Sequence, residues 1–121
     1  LLDQAIEEQQ KAGVIHARMV DSYMAGDTAA MQATAEEQLD ELDEATRRHF
    51  IERGVNQRNQ RMIESLLPLL QQGRVFTAVG ALHLPGEQGL VQLLRNHGYD
   101  LAPLPLPLNG AAQGSTPPGP R

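Results

Sequence analysis

Cysteine and tryptophan are absent from this chain, and aromatic side chains are few: two tyrosines and two phenylalanines in 121 residues. Without cysteine the protein has neither a disulfide nor a thiolate that could bind a metal ion. The formal net charge is −5, so the chain lacks the basic face and the stacking aromatics that nucleic-acid binding uses. No apolar run approaches the length of a membrane-spanning helix. We therefore expect neither a nucleic-acid partner nor a membrane span.

A start methionine and a signal-peptide pattern are also missing, and the chain opens inside a stretch with helical periodicity. Its length suffices for one modest domain with one core. We therefore expect a fragment of a longer protein. Its domain would cover residues 1–108, and residues 109–121, rich in proline, glycine and small polar residues, would form a disordered tail.

Apolar residues at helical spacing predict three helices, over residues 1–25, 28–45 and 55–72. Asp27 or Thr28 suits the N-cap of the second helix, because a short polar side chain can accept hydrogen bonds from the first backbone amides. Pro68 should kink or end the third helix.

Residues 36–45, EEQLDELDEA, form an acidic run, and residues 46–62 then contain five arginines: Arg47, Arg48, Arg53, Arg58 and Arg61. These arginines are interpreted as solvated side chains that pair with the preceding acidic run. A phosphate-binding stripe is the alternative.

After the helices the pattern of the sequence changes. Residues 74–79, RVFTAV, form a short β-branched and aromatic run bounded by glycines, which predicts a strand buried on both faces. Residues 86–97 predict a helix, and residues 99–103 predict a second strand. Strand, helix and strand in this order form a β-α-β unit with parallel strands and a right-handed crossover. We therefore predict an α/β protein (α+β within this fragment), in which a helical N-terminal region precedes a β-α-β unit.

Two strands cannot form a free-standing parallel sheet that is covered on both faces. We therefore expect the β-α-β unit to be part of a larger mixed or parallel sheet. The other strands would come from a missing N-terminal half of the same domain or from a second copy of the chain. An exposed sheet edge would otherwise drive self-association.

The segment GALHLPGEQG follows the first predicted strand, at the position where ligands bind in open parallel sheets. Its histidine, His83, can ligate a divalent metal or act as a general acid or base near neutral pH. Gly80 and Gly86 would shape the loop by letting the backbone turn sharply and approach a ligand. Glu87 would fall in the first turn of the helix, where a carboxylate stabilises the positive helix end or completes an acidic site. The alternative for His83 is a structural histidine that donates a loop hydrogen bond.

A second histidine, His16, has the same Gly-x-x-His spacing within GVIH. One accidental copy of this spacing is unsurprising in a chain with 11 glycines and 4 histidines. GVIH follows the polar helical stretch EEQQKA, whereas GALH follows the predicted buried strand. We therefore interpret His16 as a structural or surface residue.

Taken together, these residues resemble the C-terminal half of the TraB/GumN family, which includes the Tiki proteases. The resemblance covers about residues 1–104, and its specific part is the block GALHLPGEQG. The segment SYMAGD, from Ser22 to Asp27, resembles the family's turn between helices. The other matching residues are Arg58, Asn59, Met62, Gly73, Phe76, Ala78 to Leu90, Leu93, Leu94 and His97 to Tyr99.

The resemblance implies a metal-dependent, peptidase-like hydrolase, with two Gly-x-x-His motifs on separate strands and acidic and arginine residues around one site. His83 would belong to the second motif and would ligate the metal or accept a proton, with Glu87 as a further metal ligand. Arg58 would hold a substrate carboxylate or stabilise developing negative charge; the alternative for Arg58 is an ion pair on the helix surface. The implied metal is Mn²⁺, Co²⁺ or Zn²⁺, and the implied substrate is a peptide.

The first motif of such a site, and the glutamate after it, would belong to the missing N-terminal half. The fragment alone should then be inactive. The resemblance favours an exported or periplasmic location. The alternative function is a non-catalytic module that binds a peptide or haem at the same sheet edge.

Overall fold

The computed structural model describes residues 1–105, which begin with an antiparallel pair of helices. α1 spans Leu2–Met24 and α2 spans Thr28–Leu39. Asp27 caps α2 by accepting a hydrogen bond from the backbone N–H of Ala30 at 3.0 Å. The preceding Gly26 has φ +70°, a conformation that favours glycine and reverses the chain.

Two exposed ion pairs connect the two sides of this helix pair, Lys11 with Glu41 and Arg18 with Glu37. From the first pair to the second, the number of the basic residue rises from 11 to 18, whereas the number of its acidic partner falls from 41 to 37. An antiparallel arrangement requires this order. Because these pairs are exposed, they contribute little to stability. They nevertheless show that part of the acidic run pairs with basic residues of α1.

A second helical segment follows without a break from residue 44 to residue 72. α3 spans Glu44–His49, a π-helix spans Phe50–Asn56, and α4 spans Gln57–Gln72. The second helix predicted from the sequence therefore ends at Leu39, and a new helix begins before its predicted end at residue 45. α4 continues through the proline that was expected to kink or end it.

Asp43 caps α3 and explains why a new helix begins there. The Thr46 hydroxyl donates to the Asp43 carboxylate at 2.6 Å, and the Thr46 backbone N–H donates to it at 2.9 Å. These hydrogen bonds hold the pKa of the Asp43 carboxyl below its ordinary value.

The arginines after the acidic run divide into two groups. Arg47 pairs with Asp40 at 2.7 Å, and Arg48 pairs with Glu44 at 3.3 Å. For these two residues the prediction of pairing with preceding acids is confirmed. Within the described part of the chain, the ion pairs do not include the later arginines of the segment: Arg53, Arg58 and Arg61.

The main hydrophobic core lies between α4 and α5, which spans Leu90–Asn96. Ile63 of α4 is 2% exposed, and Leu90 and Leu93 of α5 are 4% and 7% exposed. Partly buried apolar side chains surround these three: Met62, Leu67, Val79, Leu84 and Leu94. Because Val79 and Leu84 precede α5, the core holds the segment before α5 against α4.

The predicted α/β fold with its β-α-β unit is wrong, because the described part of the chain is helical and contains no sheet. Residues 74–79 and 99–103 are not strands. A strand needs a neighbour to pair its backbone N–H and C=O groups, and no described segment pairs with either run. Phe76, expected inside a sheet, is 92% exposed. The β-branched composition of residues 74–79 therefore indicates only a local preference for extended backbone.

None of the helices described within residues 1–105 is long and apolar enough to cross a membrane. The tail predicted to be disordered, residues 109–121, lies outside the described residues, as do residues 106–108.

Candidate functional site

The GALHLPGEQG loop folds as a 3₁₀ turn followed by a reverse turn. The 3₁₀ turn spans Ala81–His83, and the His83 N–H donates to the Gly80 carbonyl at 3.0 Å. The reverse turn begins at Gly86, which has φ +89°, and the Gly89 N–H donates back to the Gly86 carbonyl at 3.0 Å. α5 starts immediately afterwards, so the loop is held between the core and the beginning of a helix.

Asn59 on α4 binds both turns of this loop. Its side chain is 1% exposed, which makes it the most deeply buried polar residue in the described region. Asn59 Nδ2 donates to the Gln88 carbonyl oxygen at 2.8 Å, and Asn59 Oδ1 lies 2.7 Å from His83 Nδ1. One amide therefore connects the 3₁₀ turn and the reverse turn to α4.

The orientation of Asn59 determines which nitrogen of His83 carries the proton. The Gln88 carbonyl can only accept, so it selects the NH₂ group of Asn59 and turns Oδ1 towards His83. Oδ1 can also only accept, so His83 Nδ1 is the donor. In the neutral form of the ring, which carries one N–H, Nε2 then has the lone pair that can bind a metal ion or accept a proton.

We expect Asn59→Leu to release His83 from this Nδ1-protonated form and to destabilise the fold. Leucine has a similar size but can neither donate to the Gln88 carbonyl nor accept from His83. Unsatisfied buried polar groups cost about 1–3 kcal/mol, and we expect a loss of that order in the free energy of unfolding. The ¹⁵N chemical shifts of the His83 ring report the tautomer, and urea denaturation reports the stability.

Asn96→Leu is the matched control for this substitution. Asn96 is exposed at the end of α5 and accepts one hydrogen bond, from Gln92 at 2.8 Å. Its replacement should change the stability by less than about 0.5 kcal/mol. A wild-type ¹⁵N spectrum in which neutral His83 carries its proton on Nε2 would contradict the assignment.

The other predicted site residues stand apart from His83. Arg58 is the neighbour of Asn59 on α4, but its side chain is exposed and makes no ion pair or hydrogen bond within the described residues. The helix predicted over residues 86–97 begins at residue 90, so Glu87 lies in the reverse turn and precedes the first helical turn. His16 is exposed in the middle of α1.

Glycine has a different importance at each of three loop positions. Gly80 has φ −60° and ψ 137°, which any residue adopts, and a Cβ there would lie 3.5 Å from the His83 ring, an ordinary contact. Gly86 has a left-handed φ. At Gly89 a Cβ would lie 2.2 Å from the Pro85 carbonyl oxygen. The tightest requirement therefore falls on Gly89, which the sequence interpretation does not name as a loop-shaping residue.

His83 fits one ligand position of a metal site. A ligating histidine usually donates its second ring N–H to an acceptor that fixes the ring, and His83 does so towards Asn59. Within residues 1–105, however, no three His, Asp or Glu side chains are grouped so that they could hold a metal ion. The described residues therefore fit one donor of such a site and do not form a complete one.

A cleft of about 380 Å³ opens beside Asn59, between α2, the π-helix and the loop. This volume lies within the range of small-molecule sites. His83 and Arg58 do not line the cleft. The cleft is connected to His83 through Asn59, which lines it and contacts the imidazole. Its apolar walls are formed by Leu39, Phe50, Ile51, Val55, Leu82 and Pro85, and its main polar groups by Gln32, Glu36, Asn56, Asn59, Glu87 and Gln88.

Asn59 is not among the site residues predicted from the sequence, although the sequence contains a signal for it. Asn59 follows Val55 by four residues and precedes Ile63 by four, so helical spacing puts it on the apolar stripe of α4. A polar residue on such a stripe needs a buried partner. The π-helix has no comparable signal in the sequence.

Comparison with known proteins gives one family match. The model of the TraB/PrgY/gumN family matches residues 1–103, a range that includes the five α-helices, the loop, Asn59 and the cleft. The resemblance stated from the sequence is thereby confirmed. No curated protein and no solved structure matches the chain significantly.

Proposed function

The chain belongs to the TraB/PrgY/gumN family, and on this premise we propose that it carries part of the site of a metal-dependent, peptidase-like hydrolase. His83 is the donor that the chain contributes to this site. The other donors come from residues outside the described part of the chain, either from the same domain or from a second copy. Alone, the described part is expected to be inactive.

The observation that supports this proposal most directly is the hydrogen bond between His83 and Asn59. Asn59 is buried and is itself held by the Gln88 carbonyl. The ring of His83 is thus held in one orientation and one tautomer before any ligand binds, with Nε2 available. Such preorganisation is typical of histidines that ligate a metal or transfer a proton.

Two side chains of this chain have proposed roles in the reaction. His83 Nε2 holds the metal ion or accepts a proton from the attacking water. Arg58, which is exposed next to Asn59, binds a substrate carboxylate or the developing negative charge. A bound Mn²⁺, Co²⁺ or Zn²⁺ ion supplies Lewis-acid polarisation of the peptide carbonyl and a lower pKa for its bound water. Glu87, the further metal ligand predicted from the sequence, lines the cleft that His83 does not line, so His83 remains the donor proposed for this chain.

The test is peptide hydrolysis by the complete natural polypeptide with and without a divalent metal. We expect hydrolysis of a mixed peptide library to stop after treatment with a chelator and to return with Mn²⁺, Co²⁺ or Zn²⁺. The released fragments can be identified by mass spectrometry. Hydrolysis that continues at the same rate in the metal-free protein would overturn the proposal.

A second candidate is a non-catalytic module that binds a peptide, and the cleft beside Asn59 favours it. A cleft with apolar walls and a few amide groups can hold a peptide side chain without any reaction. Peptide binding that is unaffected by the chelator, with no cleaved product, would support this candidate over hydrolysis. Its haem-binding form predicts a Soret absorption band after addition of haem.

A further inference from the structure

We infer that the cleft beside Asn59 binds an alkylammonium group, meaning a protonated amine carried on an apolar body. Such a group would be part of the peptide substrate of the proposed function, on which this assignment rests. It is either the free α-amine of a peptide with an apolar N-terminal residue or the side chain of lysine. Binding of this group to the cleft requires no bond to be broken.

The walls of the cleft suit the apolar body of such a group. They come from three separate elements: Leu39 from α2, Phe50 and Val55 from the π-helix, and Leu82 and Pro85 from the loop. Phe50 is 51% exposed and Leu82 is 40% exposed, so a ligand would cover apolar surface that now faces water. Covering this surface is favourable because it removes apolar area from water.

The π-helix is an independent indication that this wall has a function. A π-helix pairs its backbone less favourably than an α-helix, is rare, and is found frequently at functional sites. Phe50–Asn56 supplies four residues to the lining of the cleft: Phe50, Ile51, Val55 and Asn56. A Cβ at Gly54 would lie 3.8 Å from the Phe50 ring, so the ring lies beside Gly54 of the same π-helix.

The charged groups of the cleft all have the same sign. Glu36 and Glu87 line it, and the lining contains no lysine, arginine or histidine. Glu36 accepts a hydrogen bond from Gln32 at 3.0 Å, which leaves further acceptor positions on its carboxylate. The face of the Phe50 ring adds a site that attracts cations. An anionic ligand would be repelled here, whereas an ammonium group is complementary to the lining.

The cleft also lies where a substrate group would have to bind. Asn59 lines the cleft and contacts His83, and Gln88 both lines the cleft and binds Asn59 through its carbonyl. A ligand in the cleft would therefore contact the residues that hold the imidazole. The cleft therefore selects peptides that carry one ammonium group on an apolar body, close to the peptide bond that is cleaved at His83.

The test is an NMR titration of the 121-residue chain with three small probes. Leucinamide carries a free α-amine, Nα-acetyl-lysinamide carries a side-chain amine, and Nα-acetyl-leucinamide is the neutral control of similar size. We expect one or both cationic probes to shift the amide signals of Val55, Asn56 and Glu87. They should bind about tenfold more tightly than the neutral probe. Tighter binding of leucinamide would identify the ligand as an α-amine, and tighter binding of Nα-acetyl-lysinamide would identify it as a lysine side chain.

Charge-matched double variants make the result specific to the cleft. Glu36→Gln with Glu87→Gln should abolish the preference for the cationic probes. Glu52→Gln with Glu64→Gln changes the net charge equally, at exposed positions outside the lining, and should preserve the preference. Equal binding of charged and neutral probes, or no shifts at about 10 mM probe, a concentration above weak millimolar affinity, would overturn the inference.

This titration uses neither metal nor a reaction, so its outcome is separate from that of the hydrolysis test. Selective binding of leucinamide together with metal-independent or absent hydrolysis would support the inference and overturn the proposed function. Metal-dependent hydrolysis without any preference for a cationic probe would overturn the inference alone.

Discussion

Replacing Gly89 with alanine should be among the most damaging single substitutions in the described region. The alanine Cβ would lie 2.2 Å from the Pro85 carbonyl oxygen and 2.3 Å from the Leu84 carbonyl oxygen. Real Cβ atoms do not approach backbone oxygens this closely, and backbone cannot rotate away as a side chain can. The backbone of the loop must therefore separate from the start of α5.

That separation would break several contacts at once. The Val91 N–H donates to the Leu84 carbonyl at 3.4 Å, and Asn59 donates to the carbonyl of Gln88, the residue before Gly89. The next residue, Leu90, is 4% exposed in the core against α4. Because overpacking and loss of buried hydrogen bonds combine here, we expect Gly89→Ala to lower the free energy of unfolding by about 3 kcal/mol or more.

Gly80→Ala is the matched control, since it makes the same chemical change in the same loop. Its Cβ would meet only the His83 ring, at 3.5 Å, and its backbone conformation suits alanine. We expect a change within about 1 kcal/mol, with the sign favouring stability because alanine restricts the unfolded chain. Urea denaturation of both variants measures the difference. Equal stabilities for the two variants would mean that the backbone near Gly89 relaxes easily.

Replacing His83 with alanine should remove nearly all metal-dependent hydrolysis by the complete polypeptide. The variant loses the only side chain that the described loop offers with a preorganised nitrogen. General acid–base contributions alone amount to about 10²–10⁴-fold, and loss of a metal ligand acts in the same direction. We therefore expect kcat/KM to fall by at least about 100-fold. The same variant should also bind Zn²⁺ more weakly in calorimetric titration.

His16→Ala is the natural control, because His16 has the same Gly-x-x-His spacing in an exposed position of α1. It should leave kcat/KM within about twofold of wild type, as surface substitutions usually do. Circular dichroism would verify that both variants remain folded. The role assigned to His83 would be untenable if the two alanine variants hydrolysed peptides equally fast.

The sequence alone was sufficient to predict features that depend on interactions between residues close together in the chain. Asp27, one of the two N-cap candidates, caps α2 by accepting from an amide three residues away. Gly26 ends α1 in a left-handed conformation, which depends only on the turn that this residue forms. The block GALHLPGEQG identified both the loop and the family, because closely spaced glycine, histidine and proline residues form a specific pattern. Such features need no knowledge of distant segments.

Only the tertiary structure decided the features that depend on residues far apart in the chain. Residues 74–79 have the composition of a strand, but a strand exists only when a second segment pairs with it, and no described segment does. Asn59 and His83 are separated by 24 residues and Asn59 and Gln88 by 29. The tautomer of His83 therefore follows from how α4 and the loop pack together, and no local pattern in the sequence contains that information. The lack of space at Gly89 arises within the loop itself, from the Pro85 and Leu84 carbonyl oxygens.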